Sequence, residues 1–103
     1  MSASRLPVAC SLTEAELKER RAALLERAGR AVLETKELED GFAYRFPEGD
    51  EWLAELAEVI RLERLCCPFL GFRLSVGPGG GPVWLELTGP PGTKEFLSSL
   101  FSV

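Results

Sequence analysis

Histidine is absent from the 103-residue chain. Its absence excludes a Ser-His-Asp triad, a Cys-His dyad and any imidazole metal site. An excess of positive charge is missing too. Twelve Lys+Arg stand against 16 Asp+Glu, a formal net charge of −4, and nucleic-acid binding needs a basic face. No apolar run approaches the ~20 residues that span a bilayer, so no membrane association is expected. The opening stretch Met1-Ser2-Ala3-Ser4-Arg5-Leu6-Pro7 lacks the apolar core of a secretory signal. The expected location is therefore the cytoplasm, where thiols stay reduced.

What is present is an ordinary globular composition, 46% hydrophobic and 27% charged, in a length that suits one domain over residues 1–103. Against that background three cysteines stand out: Cys10 and the adjacent pair Cys66 and Cys67. The odd count speaks against a purely structural disulfide framework. With histidine gone, any site chemistry starts from these thiols.

The pattern predicts alternating strands and helices. Residues 6–11 read as a short strand, with Pro7 marking an edge or a start. Thr13 and Glu16 have capping-box spacing and open a helix to about residue 29, with Leu17, Leu24, Leu25 and Ala28 on one face and Gly29 at its end. Residues 31–38 alternate as a strand. Asp40-Gly41 signals a hairpin, and Phe42, Tyr44 and Phe46 alternate on the return. Asp50 caps a second helix that buries Trp52, Leu53, Leu56, Val59 and Ile60 and is closed by Pro68. Strands follow over 72–76 and 83–88, around the turn Gly77-Pro78-Gly79-Gly80-Gly81-Pro82. Pro90 and Pro91 start a last helix, in which Phe96, Leu97, Leu100 and Phe101 pack. The order βαββαββα implies an α+β fold: an antiparallel sheet with helices mainly on one face and a ferredoxin-like, split βαβ core.

That topology gathers the cysteines. With the first strand rising to Cys10, the right-handed crossover rule brings the second helix up to end at Cys66 and Cys67 at the same pole. Glu63 joins them. At about 100° per residue it falls within the apolar stripe of its helix, one turn before the pair. A carboxylate there is costly unless paired or bound. Arg21 interrupts the apolar face of the first helix in the same way, and antiparallel packing of the two helices makes an Arg21–Glu63 pair the natural way to satisfy both.

Thiolates without imidazole favour soft ions, Cu(I) or Hg(II) in low coordination, or Zn(II) with Glu63 as a fourth ligand. The expected metal-ligand set is Cys10, Cys66, Cys67 and Glu63, with Arg21 beside it. Each member also has a structural reading. Buried cysteine packs as a small hydrophobe, and an Arg21–Glu63 ion pair needs no function. Trp52, Phe69, Phe72 and Trp84 read as core. Glu16, Lys18, Glu19, Arg20, Glu26 and Arg27 read as a solvated face. The segment Gly89-Pro90-Pro91-Gly92-Thr93-Lys94 reads as ordinary helix-start chemistry rather than an anion site. Cys66-Cys67 lacks the Cys-x-x-Cys spacing of disulfide oxidoreductases, and catalysis is not expected, because no third group orients a cysteine nucleophile.

The strings Glu63-Arg64-Leu65-Cys66-Cys67-Pro68-Phe69, Phe42-Ala43-Tyr44-Arg45-Phe46-Pro47 and Leu85 through Leu97 resemble a family of small bacterial proteins with no established activity. Some of these are encoded near mercury or other heavy-metal resistance genes. The resemblance covers most of the chain, and that gene neighbourhood would fit a thiol site without showing one. Cys10 also occupies the strand-to-helix position at which ferredoxin-like heavy-metal-associated domains keep a Cys-x-x-Cys. Here the string is Cys10-Ser11-Leu12-Thr13, so Cys66 or Cys67 would have to supply the missing ligand. Two functions are therefore expected as alternatives. One is soft-metal binding or sensing of thiol-reactive species. The other is an interaction module with packed cysteines that forms a homodimer through a strand edge or the last helix.

Overall fold

A computed structural model describes residues 13–100. The strand expected over 6–11, Cys10 and Phe101 lie outside the described residues. Helix α1 (Ala15–Ala31) is followed by β1 (Glu34–Leu38), β2 (Gly41–Phe46), α2 (Asp50–Cys66), β3 (Gly71–Val76), β4 (Val83–Thr88) and α3 (Thr93–Leu100). The four strands form one antiparallel sheet in the order β1-β2-β4-β3.

The α+β class and the antiparallel sheet agree with the sequence reading, and the strand order adds a constraint. In a split βαβ, β2 would lie between β1 and a strand from residues 6–11. That place beside β2 belongs to β4, which pairs with Phe42, Tyr44 and Phe46 through Leu87, Leu85 and Val83. The described sheet departs from the split βαβ order at this point. Backbone pairing favours β4 there, because its alternating Val83, Leu85 and Leu87 are fully apolar on one face.

That face carries the core. Tyr44, Phe46, Val83, Leu85 and Leu87 pack against Leu24, Leu25 and Ala28 of α1, Leu56, Val59 and Leu62 of α2, and Leu97 of α3. Phe46 stacks on Trp52 at 5.6 Å, and Phe69 meets Phe96 edge-on at 5.2 Å. Trp84 is the exception to the expected aromatic core. As the second residue of β4, between the core-facing Val83 and Leu85, it turns to the open face, where the Lys36 ammonium sits 4.7 Å from the ring centroid.

Several boundaries differ from the local signals. The helix over 15–31 passes through Gly29, and Glu14, not Thr13, is its N-cap, without a side-chain bond. Gly49 rather than Asp50 is the N-cap of α2, at φ 130°. Helix α3 begins at Thr93, three residues after Pro90, and the buried Thr93 hydroxyl donates to the Pro90 carbonyl at 2.6 Å. The hairpin turns at Glu39-Asp40, with Leu38 opposite Gly41. Gly41 is not needed for a left-handed backbone, since it has no positive φ. It is needed for room: a Cβ there would collide with the Leu87 carbonyl of β4. Gly41→Ala is therefore expected to cost about 1–3 kcal/mol, as overpacked sites do. A urea midpoint equal to that of the parent chain would contradict this account.

Candidate functional site

Helices α1 and α2 lie antiparallel, stitched by three ion pairs: Arg27–Glu55 at 2.8 Å, Arg20–Glu58 at 3.4 Å and Arg21–Glu63 at 2.5 Å. The first two are exposed, and Arg20 and Arg27 thus do more than coat a solvated surface. No local sequence signal announces them, because their partners lie 28 and 38 residues away. The third pair is the one expected from the misplaced charges on the two apolar stripes. It is two-pronged: Arg21 Nε donates to Glu63 Oε2 and Nη2 donates to Oε1 at 3.3 Å. Glu63 keeps 2% of its side-chain exposure and Arg21 keeps 15%.

Pro68 shapes the end of α2. The residue before a proline is driven out of the helical region, and Cys67 adopts φ −125° and ψ 75° while its N–H closes on the Glu63 carbonyl at 2.6 Å. Cys66 is thus the last helical residue and Cys67 the cap. The Cys67 thiol lies along the α1–α2 seam. It donates to Glu63 Oε1 at 3.5 Å and receives Arg21 Nη2 at 3.9 Å. Glu63, Arg21 and Cys67 therefore form one polar cluster inside the apolar end of the helix pair.

The two neighbouring sulfurs are in different states. Cys67 is a free, buried thiol, whereas Cys66, read as a thiol from the sequence, is disulfide-bonded. Both residues have 0% exposure. Burial, reinforced by the Glu63 carboxylate and only partly opposed by Arg21, pushes the Cys67 thiol up to about 12. At neutral pH Cys67 is a protonated donor, not a thiolate. Of the expected ligand set, the structure brings together Glu63 and Cys67, with Arg21 as foreseen. Both Glu63 oxygens are occupied by Arg21, so a metal at Glu63 would have to displace it. Cys10 lies outside the described residues. Among the described residues no group of three or more Cys, Asp or Glu side chains is disposed to hold a metal ion, and no helix is long and apolar enough to cross a membrane. No protein-family model, no curated protein and no solved structure matches the chain.

Two outcomes follow from this cluster. Arg21→Ala leaves the Glu63 carboxylate buried without its cation and should cost about 3–5 kcal/mol, while the double change Arg21→Met/Glu63→Leu should recover most of that loss. Equal denaturation midpoints for the parent and Arg21→Ala would refute the pair's role. The second outcome concerns alkaline pH. Cys67 titrates higher when folded than its ordinary value of 9.0. Its contribution to stability is thus complete below pH ~9 and is lost as pH rises toward ~12. Tyr44 is also pushed up by burial, from 10.0 to about 12, and loses its share in the same direction from a higher starting pH. Melting temperature should fall across this range, and Cys67→Ala should remove the part of the fall that begins near pH 9. An identical alkaline profile in that variant would argue against the assignment.

Proposed function

We propose that this domain is a cytoplasmic thiol protein that binds a soft metal ion or reacts with thiol-reactive species at the end of α2. The observation that carries the reading is the seating of the Cys67 thiol against a buried carboxylate–guanidinium pair, one residue on from Cys66. In a reduced protein, Cys66 and Cys67 supply two thiols on one helix terminus, with Cys10 as a third and Glu63 one turn below. Arg21 has the charge to offset a thiolate once a metal ion has displaced the thiol proton, since binding releases that proton and overcomes an unfavourable pKa. Ligation by sulfur favours Hg(II), Cu(I) or Zn(II). The resemblance to proteins encoded near heavy-metal resistance genes is in keeping with such a site.

A specific observation favours the second reading, an interaction module. Both helix-end sulfurs are fully buried, as in ordinary packing. Meanwhile Leu74 and Val76 of β3 are 37% and 52% exposed on the helix side of an edge strand of the described sheet. A homodimer through that strand edge would cover them.

The two readings separate on the bench. Chain reduced with a phosphine should retain about one Hg(II), Cu(I) or Zn(II) per molecule after gel filtration, and Cys66→Ser/Cys67→Ser should retain none. Undiminished binding by the double variant would defeat the metal reading. A dimer in sedimentation, together with thiols that a disulfide reagent labels only on unfolding, would establish the interaction module in its place.

A further inference from the structure

We infer that β3 docks on β3 of a second copy of this chain, antiparallel and with Leu74 on the two-fold axis, so that two sheets join into one. The inference rests on the interaction-module reading above and fixes its register. Among the described residues β3 has a neighbouring strand on one side only. The Gly77 N–H closes inward on the Pro82 carbonyl at 2.9 Å, in the register that pairs Val76 with Val83. Backbone groups alternate in direction along a strand. Ser75, Arg73 and Gly71 therefore bond toward β4, and the N–H and C=O groups of Phe72, Leu74 and Val76 point outward. The side chains of these residues stand on the helix side, opposite Leu87, Leu85 and Val83, where Leu74 and Val76 are 37% and 52% exposed. Outward backbone and uncovered apolar side chains thus coincide.

The two edges of the described sheet are not alike. β1 exposes Glu34, Lys36 and Glu37, the kind of charge that keeps an edge from pairing. β3 has Arg73 as its single charge and holds no proline. Charge and backbone together select the match. Outward residues must face outward residues, and a slip of one residue sets apolar side chains on the wrong face. With Leu74 on the axis, Phe72 faces Val76 of the second copy and Leu74 faces its own counterpart, each pair exchanging two backbone bonds. On the open face Arg73 then faces Ser75 of the second copy. Moving the axis to Arg73 sets two guanidinium groups opposite each other, which is destabilising. Moving it to Ser75 sets Phe72 against Pro78, which has no N–H to give. In the favoured register Val76 of the second copy lies beside the depression that Phe72 shares with Ile60 and Leu70. The same patch serves both copies, and the charged β1 edges stop the joined sheet from growing further.

Sedimentation equilibrium of the full chain, reduced with a phosphine and run over a wide range of concentration, should show a monomer–dimer equilibrium. Leu74→Lys sets two ammonium groups against each other on the axis and should raise the dissociation constant roughly tenfold or more. Ser75→Glu and Ser75→Arg alter an exposed side chain and read the register without burdening the fold. At low salt Ser75→Glu should tighten the dimer about two- to tenfold, by setting a carboxylate opposite each Arg73, and Ser75→Arg should loosen it by a similar factor. Equal constants for the two Ser75 variants, in a dimer that Leu74→Lys dissociates, overturn the register and leave the strand-edge reading standing. A dimer indifferent to Leu74→Lys overturns the β3 interface altogether. A chain that stays monomeric overturns both the inference and the homodimer on which it rests. If the amides of Phe72, Leu74 and Val76 in that monomer still resist hydrogen exchange, another part of the same chain is the occupant.

Discussion

The arrangement of this protein turns on a carboxylate buried where an aliphatic side chain would be expected. Glu63 lies inside the α1–α2 seam at 2% side-chain exposure, and its desolvation is unfavourable by several kcal/mol unless a cation answers it at close range. Arg21 answers it with two donors. That requirement sets the register of the two helices, since only one sliding position puts the guanidinium opposite the carboxylate. The exposed pairs Arg27–Glu55 and Arg20–Glu58 then follow the same antiparallel alignment and add little on their own.

The cysteine pair inherits its geometry from this seam and from Pro68. Without the proline, α2 could continue and place Cys66 and Cys67 about 100° apart around the helix axis. With it, Cys67 is turned out of the helix at the cap, and its thiol joins the Arg21–Glu63 cluster. Adjacent residues are thereby given different chemistry. One is a protonated thiol held by a carboxylate, and the other is committed to a disulfide.

Much of the site was legible in the sequence because it consists of violations. Glu63 and Arg21 break apolar periodicity, and a break in periodicity is visible without a structure. Their pairing followed from the packing rule for neighbouring helices. The signals that misled were local ones. Thr13 and Asp50 have capping chemistry but cap nothing. Asp40-Gly41 marks the hairpin correctly, yet Gly41 is required by the nearness of β4 rather than by a left-handed turn. Trp84 has the size of a core residue, but its parity in β4 sends it to the open face over Lys36.

The sequence by itself determined the order of the described elements, the alternation that assigns a face to each strand, and the two misplaced charges that mark the helix seam. These are properties of residues within one element or one turn of each other, where side-chain period and proline or glycine chemistry act directly. Only the tertiary structure decided that β4 lies beside β2, that Cys67 turns to Glu63, and that Cys66 is not a free thiol. Those outcomes depend on contacts between segments far apart in the chain. There, the burial of a whole face outweighs local preference, and one residue's chemistry is set by neighbours the sequence does not place beside it.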